Sequence, residues 1–339
     1  MLIGYLQPLF SILITATLFS FVLDFPIRLL QNRGMPRGWA VAEILILALI
    51  IVSLLGFILI PLIVQQLSDL VASLPEWFAS GSEQFQNMQK WAITQKFPPG
   101  LHEVFTQTAA KFSNTLEVLT SNLLNFVLGA IGSIFNIFLE LVLTIFLVIY
   151  GERAWNGVFS WLPSPWNKRL RKSIKQTFES YFAGQSILAA IVGIAQIVVF
   201  VFLGVPYAVL FGFSIGVTTL IPYASAFTII LVSLLVALQN FGLGLKVLIA
   251  AIAIVQINDN FIAPRLMGKM IGINPVWLIL SLFIGGKLGG ILGLLLAVPV
   301  ASVIKNTAET LRNSYSRSNH QVLLVTDVTF PNPDKNSEL

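Results

Sequence analysis

The chain has 339 residues, of which 56% are hydrophobic and 10% are Asp, Glu, Lys or Arg, where a soluble domain carries about 25% charged residues. With a mean hydropathy of +0.85 and a formal net charge of +5, these proportions exclude soluble globular, disordered and collagen-like chains and leave a polytopic membrane protein. There is no cysteine, and the two histidines, His102 and His320, lie in polar stretches; disulfides, thiolate metal sites and imidazole chemistry fall away, and neither a cofactor nor a metal is expected.

Spans follow in chain order, since a bilayer core about 30 Å thick needs about 20 apolar residues of helix. Residues 2–23 come before the first charge, Asp24. They read as a span rather than a signal peptide, because the charged start and the small-residue cleavage motif are both missing. Residues 39–61 form a second span, with Glu43 near its start, and 123–150 a third, with Glu140 as its one charge. Between Tyr181 and Asn258, 78 residues carry only Lys246. Breaks at Gly204-Val205-Pro206, Ile221-Pro222-Tyr223 and Asn240-Phe241-Gly242 divide them into helices at 181–203, 207–222, 224–239 and 243–258. The middle two are short enough for a pair of half-helices. A last apolar stretch, 276–304, contains only Lys287. The expected fold is an all-α transmembrane bundle of about eight helices with an amphipathic extracytoplasmic segment.

Six regions result: 1–61 with two spans and a basic loop, 62–122 outside, 123–150 as the third span, 151–180 as a basic cytoplasmic loop, 181–304 as the core bundle with broken or re-entrant helices, and 305–339 as a polar tail. Orientation follows the excess of Lys and Arg on the cytoplasmic side. Residues 24–38 hold Arg28, Arg33 and Arg37 against Asp24, and 151–180 hold six basic residues against Glu152 and Glu179. Trp155, Trp161 and Trp166 suit the membrane interface. The surplus charge is thus topological, and no nucleic-acid partner is expected. In 62–122, Leu67, Leu70, Leu74 and Trp77 follow helical spacing, as do Phe85, Met88 and Trp91. After Pro98-Pro99-Gly100 a second stripe runs through Leu101, Phe105, Phe112 and Leu119. Such stripes rest either on the membrane or bundle, or on another subunit. The 29 residues of 276–304 make one helix about 43 Å long or two short arms. Two arms would return the tail to the cytoplasm, where Lys305, Arg312 and Arg317 belong. The tail from 316 onward is expected to be mobile.

Ionisable groups inside a membrane are costly and mark functional candidates. The richest cluster runs from Gln256 to Lys269. Asp259 lies between Asn258 and Asn260, Pro264 is expected to break or kink the helix, and Arg265 follows. An acid flanked by amides can hold a cation or a polar ligand; the plainer reading is an Asp–Arg pair that fixes a loop. Glu140, deep in its span, is either a proton-coupling carboxyl or the structural partner of Lys246 or Lys287. The run Gly285, Gly286, Lys287, Gly289, Gly290 and Gly293 permits close helix packing or a broken helix lining a binding site; Lys287 meets an anion or snorkels to headgroups. Pro206 with Pro222 and Pro275 with Pro299 bound two apolar arms that resemble a weak internal repeat, although the proline spacings are 16 and 24 residues. No phosphate-binding loop supports an ATP-driven pump, and the spans lack the residues of an enzyme.

Together these segments resemble the autoinducer-2 exporter family of bacterial inner-membrane proteins. The resemblance covers about 8–312. It is strongest at Asp259-Asn260, Pro264-Arg265-Leu266-Met267-Gly268-Lys269, Asn274-Pro275, Gly285-Gly286-Lys287, Gly289, Gly293 and Ala297-Val298-Pro299, with Gly204-Val205-Pro206-Tyr207-Ala208, Ile221-Pro222-Tyr223 and Pro36-Arg37-Gly38 in support. It departs where Ala224-Ser225-Ala226-Phe227 replaces the family's Gly-Pro pair, and where Asn274 replaces a common His. It implies a further apolar helix before residue 2, a homo-oligomer (a pentamer in relatives), and transport of one of two kinds. One is export of autoinducer-2 or a similar small hydrophilic solute; the other is exchange of a monovalent cation for protons. The remaining alternative is a membrane scaffold that carries no flux.

Overall fold

The computed structural model describes residues 2–94, 134–160, 164–267 and 274–328. Among them there are helices and no strands: α1 (Leu2–Asn32), α2 (Arg37–Thr94), α3 (Ile134–Phe159), α4 (Ser164–Phe202), α5 (Ala208–Thr218), α6 (Ala224–Gln239), α7 (Phe241–Ile257), a π turn (Asn258–Ile262), α8 (Ala263–Met267) and α9 (Pro275–Val328). Five helical stretches among the described residues are long and apolar enough to cross a membrane. The chain is an all-α, multi-pass membrane protein. Helix α5, at 11 residues, is about 16 Å long and too short to cross alone.

Helix ends follow local chemistry. At the end of α1, Gly34 (φ 94) takes the left-handed conformation, with Gly34 N–H donating to the Gln31 carbonyl and Met35 N–H to Leu30. Gly204 (φ 68) ends α4 in the same way, with bonds from Gly204 to Val201 and Val205 to Phe200. This is the Schellman pattern, where glycine avoids a Cβ clash. A proline follows each within two residues, so neither helix resumes in register. The Asn240 side chain accepts from Leu243 N–H and starts α7.

Several expectations give way. Residues 39–61 and the start of 62–122 form one helix, α2, running 58 residues through Pro61 and Pro75. The basic stretch 151–180 is mostly helical, belonging to α3 and α4, and the tail is helical as far as Val328. Pro264 does not break the chain. Its ring would crowd the carbonyl one turn back, and the π turn opens that turn, with Ala263 N–H bonding to the Asn258 carbonyl. Pro299 also lies inside a helix and is fully buried. The start of the third span, Pro98 to Gly100, the second stripe, and the side chains of Phe85, Met88 and Trp91 lie outside the described residues.

The described chain divides into two compact units, 1–154 with 179–271, and 155–178 with 272–339. In the first, the core joins Leu70, Leu74 and Trp77 of α2 to Val192 and Phe200 of α4, Ile215 of α5, Val232 and Val236 of α6, and Val247 and Ala251 of α7. The stripe on α2 therefore rests on the bundle. Gln84 fastens the far end of this contact: its amide donates to the Leu238 carbonyl (2.8 Å) and accepts from Phe241 N–H (3.2 Å). In the second unit, Gly290 (φ 57, ψ −135) divides α9 into arms 275–289 and 291–328. The arms fold back on each other, since a Cβ on Gly285 or Gly293 would collide with the other's backbone. At about 21 Å, arm 275–289 is shorter than a bilayer core. The two arms thus form a helical hairpin.

Candidate functional site

The site grows from one face of α4. Tyr181, Gln185, Leu188, Val192 and Gln196 recur at helical spacing, and all are buried. The opposing surface is α7 with its continuation into α8, which runs antiparallel to α4. At one level, a Cβ on Gly184 would touch the Met267 side chain at 3.3 Å. At another, the Gln196 amide donates to the Ala251 carbonyl at 3.2 Å. Helix α5 closes a third side. Gly212 and Gly216, four residues apart, lie against Ile197 and Gly193 of α4; a Cβ on Gly216 would come within 2.7 Å of Gly193 Cα. Two helices meet this closely only where both present small residues. The Gln185 amide donates to the carbonyl of Thr219, just past the end of α5.

The π turn keeps the buried face of this helix in line beyond Asn258. Along α7 the buried positions are Gly244, Val247 and Ala251, followed past its end by Asn258, Ala263 and Met267. The step from Asn258 to Ala263 is five residues, one more than an α-turn allows, so the buried stripe continues past the turn in register. Asn258 is 2% exposed. Its amide donates to Asp259 Oδ1 at 3.0 Å, and its own Oδ1 is buried with no hydrogen-bond donor. Gln196, 0% exposed, is in the same condition at Oε1, as are the Ser233 hydroxyl on α6 and the Tyr181 hydroxyl. An unpaired buried polar group costs about 1–3 kcal/mol, and native proteins keep few of them. Two of the four are amide oxygens on facing elements, Gln196 on α4 and Asn258 just past α7.

The sequence-derived candidates are distributed differently. Asp259, Asn260 and Arg265 sit on or just after the π turn but are exposed. Asn260 donates to the Gln256 carbonyl and side chain. Among the described residues no ion pair joins Asp259 to Arg265, and none joins Glu140 to Lys246. Glu140 is on α3, facing α1 and α2. Lys287, Gly285, Gly286, Gly289, Gly290 and Gly293 belong to the second unit; Lys287 and Gly289 are exposed on the first arm. Pro206 and Pro222 precede Tyr207 (φ 56) and Tyr223 (φ 66), both left-handed and both at a helix start. The ion pair that does form lies elsewhere. Arg28 holds Glu179 through both carboxylate oxygens at 3.0 Å and Asp24 at 3.1 Å. Sequence reasoning named Asn258 only as a flank of Asp259 and passed over Gln185 and Gln196, although amides inside an apolar 78-residue stretch are themselves a signal. The spacing that flags Gly285 and Gly293 also holds at Gly212 and Gly216 and would have found the α4–α5 crossing.

Comparison with known proteins adds a consistent identity. The profile of the family described as "AI-2E family transporter" matches residues 1–313. Two Synechocystis proteins are similar over most of their lengths. "Putative transport protein sll0063" is 34% identical over 314 residues, 91% of this chain and 80% of its own. "Putative transport protein sll0060" is 32% identical over 308 residues, 90% of this chain and 89% of its own. "Putative transport protein YueF" of Bacillus subtilis is 26% identical over 323 residues, 89% of this chain and 84% of its own. With the helical membrane fold and the family profile in agreement, the chain belongs to the AI-2E transporter family and is a membrane transport protein.

Proposed function

We propose that the protein is a secondary exporter of a small hydrophilic solute with several hydroxyl groups, of the autoinducer-2 type, and that the solute passes the α4–α7 interface. The observation that carries this is the pair of unmet acceptors, Gln196 Oε1 and Asn258 Oδ1. Gln196 is level with Ala251, and Asn258 lies seven residues, about 10 Å, further along the helix. That span suits two ends of a small polar molecule; one dehydrated cation cannot touch both. Asp259 orients the Asn258 amide by accepting from its nitrogen. Arg265 on α8 acts as a gating charge there, and Lys287, on the hairpin of the second unit, as an anion-attracting charge of that unit. The setting is the bacterial inner membrane, in a homo-oligomer, with the basic stretches facing the cytoplasm. The Arg28–Glu179 pair supports this orientation because it ties those two stretches together.

A second reading, monovalent cation/proton exchange, is favoured by one feature: Asp259 is an exposed acid on a π turn, a distortion frequent at functional sites. One set of proteoliposomes separates the readings. Efflux of labelled polyhydroxylated solutes should be measured beside a pH-sensitive dye under Na⁺, K⁺ and Li⁺ pulses. The exporter reading expects solute efflux that falls at least tenfold in Asn258→Leu, with no dye response. A cation-evoked dye signal lost in Asp259→Asn would replace it with the exchanger.

A further inference from the structure

Away from the α4–α7 interface, a cavity of about 220 Å³ opens between α1, α2 and α3. Its walls include Phe19 and Leu23 of α1, and Leu45, Leu49 and Val52 of α2; α3 contributes Glu140. Glu140 is the one ionisable side chain among the lining residues. The nearby Thr144 hydroxyl is committed to backbone, donating to the Glu140 carbonyl at 2.7 Å. Phe19, Leu49 and Val52 are about half exposed, so the cavity is open at the surface of these helices. Glu140 lies 13 residues before Arg153, about 20 Å along the helix direction, well inside the hydrocarbon layer.

Two properties are thus combined. Aliphatic cavities of about 150 Å³ stay dry and accept benzene, so this one has room for an aromatic ring and a short chain. A carboxylate at this depth is costly unless a positive charge meets it, and the lining residues supply none. The chemistry that satisfies both is a ligand with its own apolar body and its own cation. We propose that this cavity is a binding site for amphiphilic organic amines, with the ring among Phe19, Leu23 and Leu49 and the ammonium on Glu140. Entry is from the membrane, where such amines concentrate. The site is separate from the α4–α7 interface and does not depend on which solute crosses there.

The test uses the full chain in lipid nanodiscs, with empty nanodiscs as background. The probes are 2-phenylethylamine, protonated near neutral pH, and 2-phenylethanol, which has the same ring and chain without the charge. Binding is read by titration calorimetry and saturation-transfer NMR. The amine is expected to bind wild type about ten- to a hundredfold more tightly than the alcohol, the range for losing one charge-assisted contact. Glu140→Gln should erase that preference while leaving alcohol binding in place, and Ala48→Phe, which fills the cavity, should abolish both. Asp259→Asn should leave amine binding unchanged. Should Glu140→Gln fail to fold, the amine-to-alcohol ratio on wild type and the Ala48→Phe result still decide. Equal binding of both probes to wild type would make the cavity a plain lipid groove and overturn the proposal. So would the absence of amine binding to folded wild type, or its loss in Asp259→Asn.

Discussion

Tyr207 and Tyr223 occupy the same backbone conformation for different returns. A left-handed residue with a Cβ costs about 1–2 kcal/mol, so something must hold it. The Tyr207 hydroxyl bonds to Ser73 at 2.8 Å, and its ring packs against Trp77 and Phe211. Tyr223 is 55% exposed, and its strain sits at the joint between two short helices, where strain commonly serves function. Tyr223→Gly should therefore leave the apparent unfolding midpoint in detergent unchanged or raise it slightly. The relief of strain exceeds the about 0.5–1 kcal/mol that glycine loses in chain entropy. Tyr207→Gly should lower the midpoint clearly, because it also removes the hydrogen bond and the ring contacts. A drop of similar size for both would mean that the exposed ring of Tyr223 has a contact partner. The Pro-Tyr pairs were readable as breaks; their shared left-handed geometry was not, because φ at a tyrosine depends on the packing around it.

Among the elements, α4 and α5 cross backbone to backbone. Gly216 has Gly193 Cα and the Ala189 carbonyl within 3.0 Å of where its Cβ would be. Both are backbone on a packed helix, so neither can turn aside. Gly216→Val should therefore separate α4 from α5 at an overpacking cost of about 1–3 kcal/mol or more. The expected readout is a lower unfolding midpoint together with loss of transport, since Gln185 and Gln196 are on the helix that moves. An unchanged midpoint would show that the helices can part without penalty. The apolar stripe on α2 was legible, since Leu70, Leu74 and Trp77 recur at helical spacing. What it rests on was not, because a stripe states that a face is buried and not against what. The π turn is a different case: Asn258, seven residues after Ala251, follows the stripe of a regular helix, but the added residue carries that stripe on to Ala263 and Met267, and periodicity assumes a regular helix.

For the whole molecule, the consequential feature is the hairpin of α9. Because the arms fold back at Gly290, residue 274 and the segment after 304 lie at the same end of the hairpin, and a re-entrant placement puts both on one side of the membrane. The chain has no cysteine, so single replacements report without background. Asn274→Cys and Glu309→Cys, made separately, should both react with an impermeant maleimide from the same side of sealed vesicles. Labelling from opposite sides would restore a single crossing at 276–304. Composition and hydropathy by themselves determined that the chain is a helical membrane protein, roughly where its spans lie, and that Pro206 and Pro222 interrupt them, since these depend on transfer energies and on proline's missing N–H, which are local properties. Its family was equally legible, carried by spaced residues such as Asn274-Pro275 and Gly285-Gly286-Lys287. Only the tertiary structure decided that Gln196 and Asn258 are both buried with an unpaired oxygen, that Arg28 pairs with Glu179 across 151 residues of sequence, and that Glu140 lines a cavity and pairs with no lysine among the described residues. Those facts depend on which helices become neighbours, and in a chain this uniformly apolar almost any pair of faces can pack.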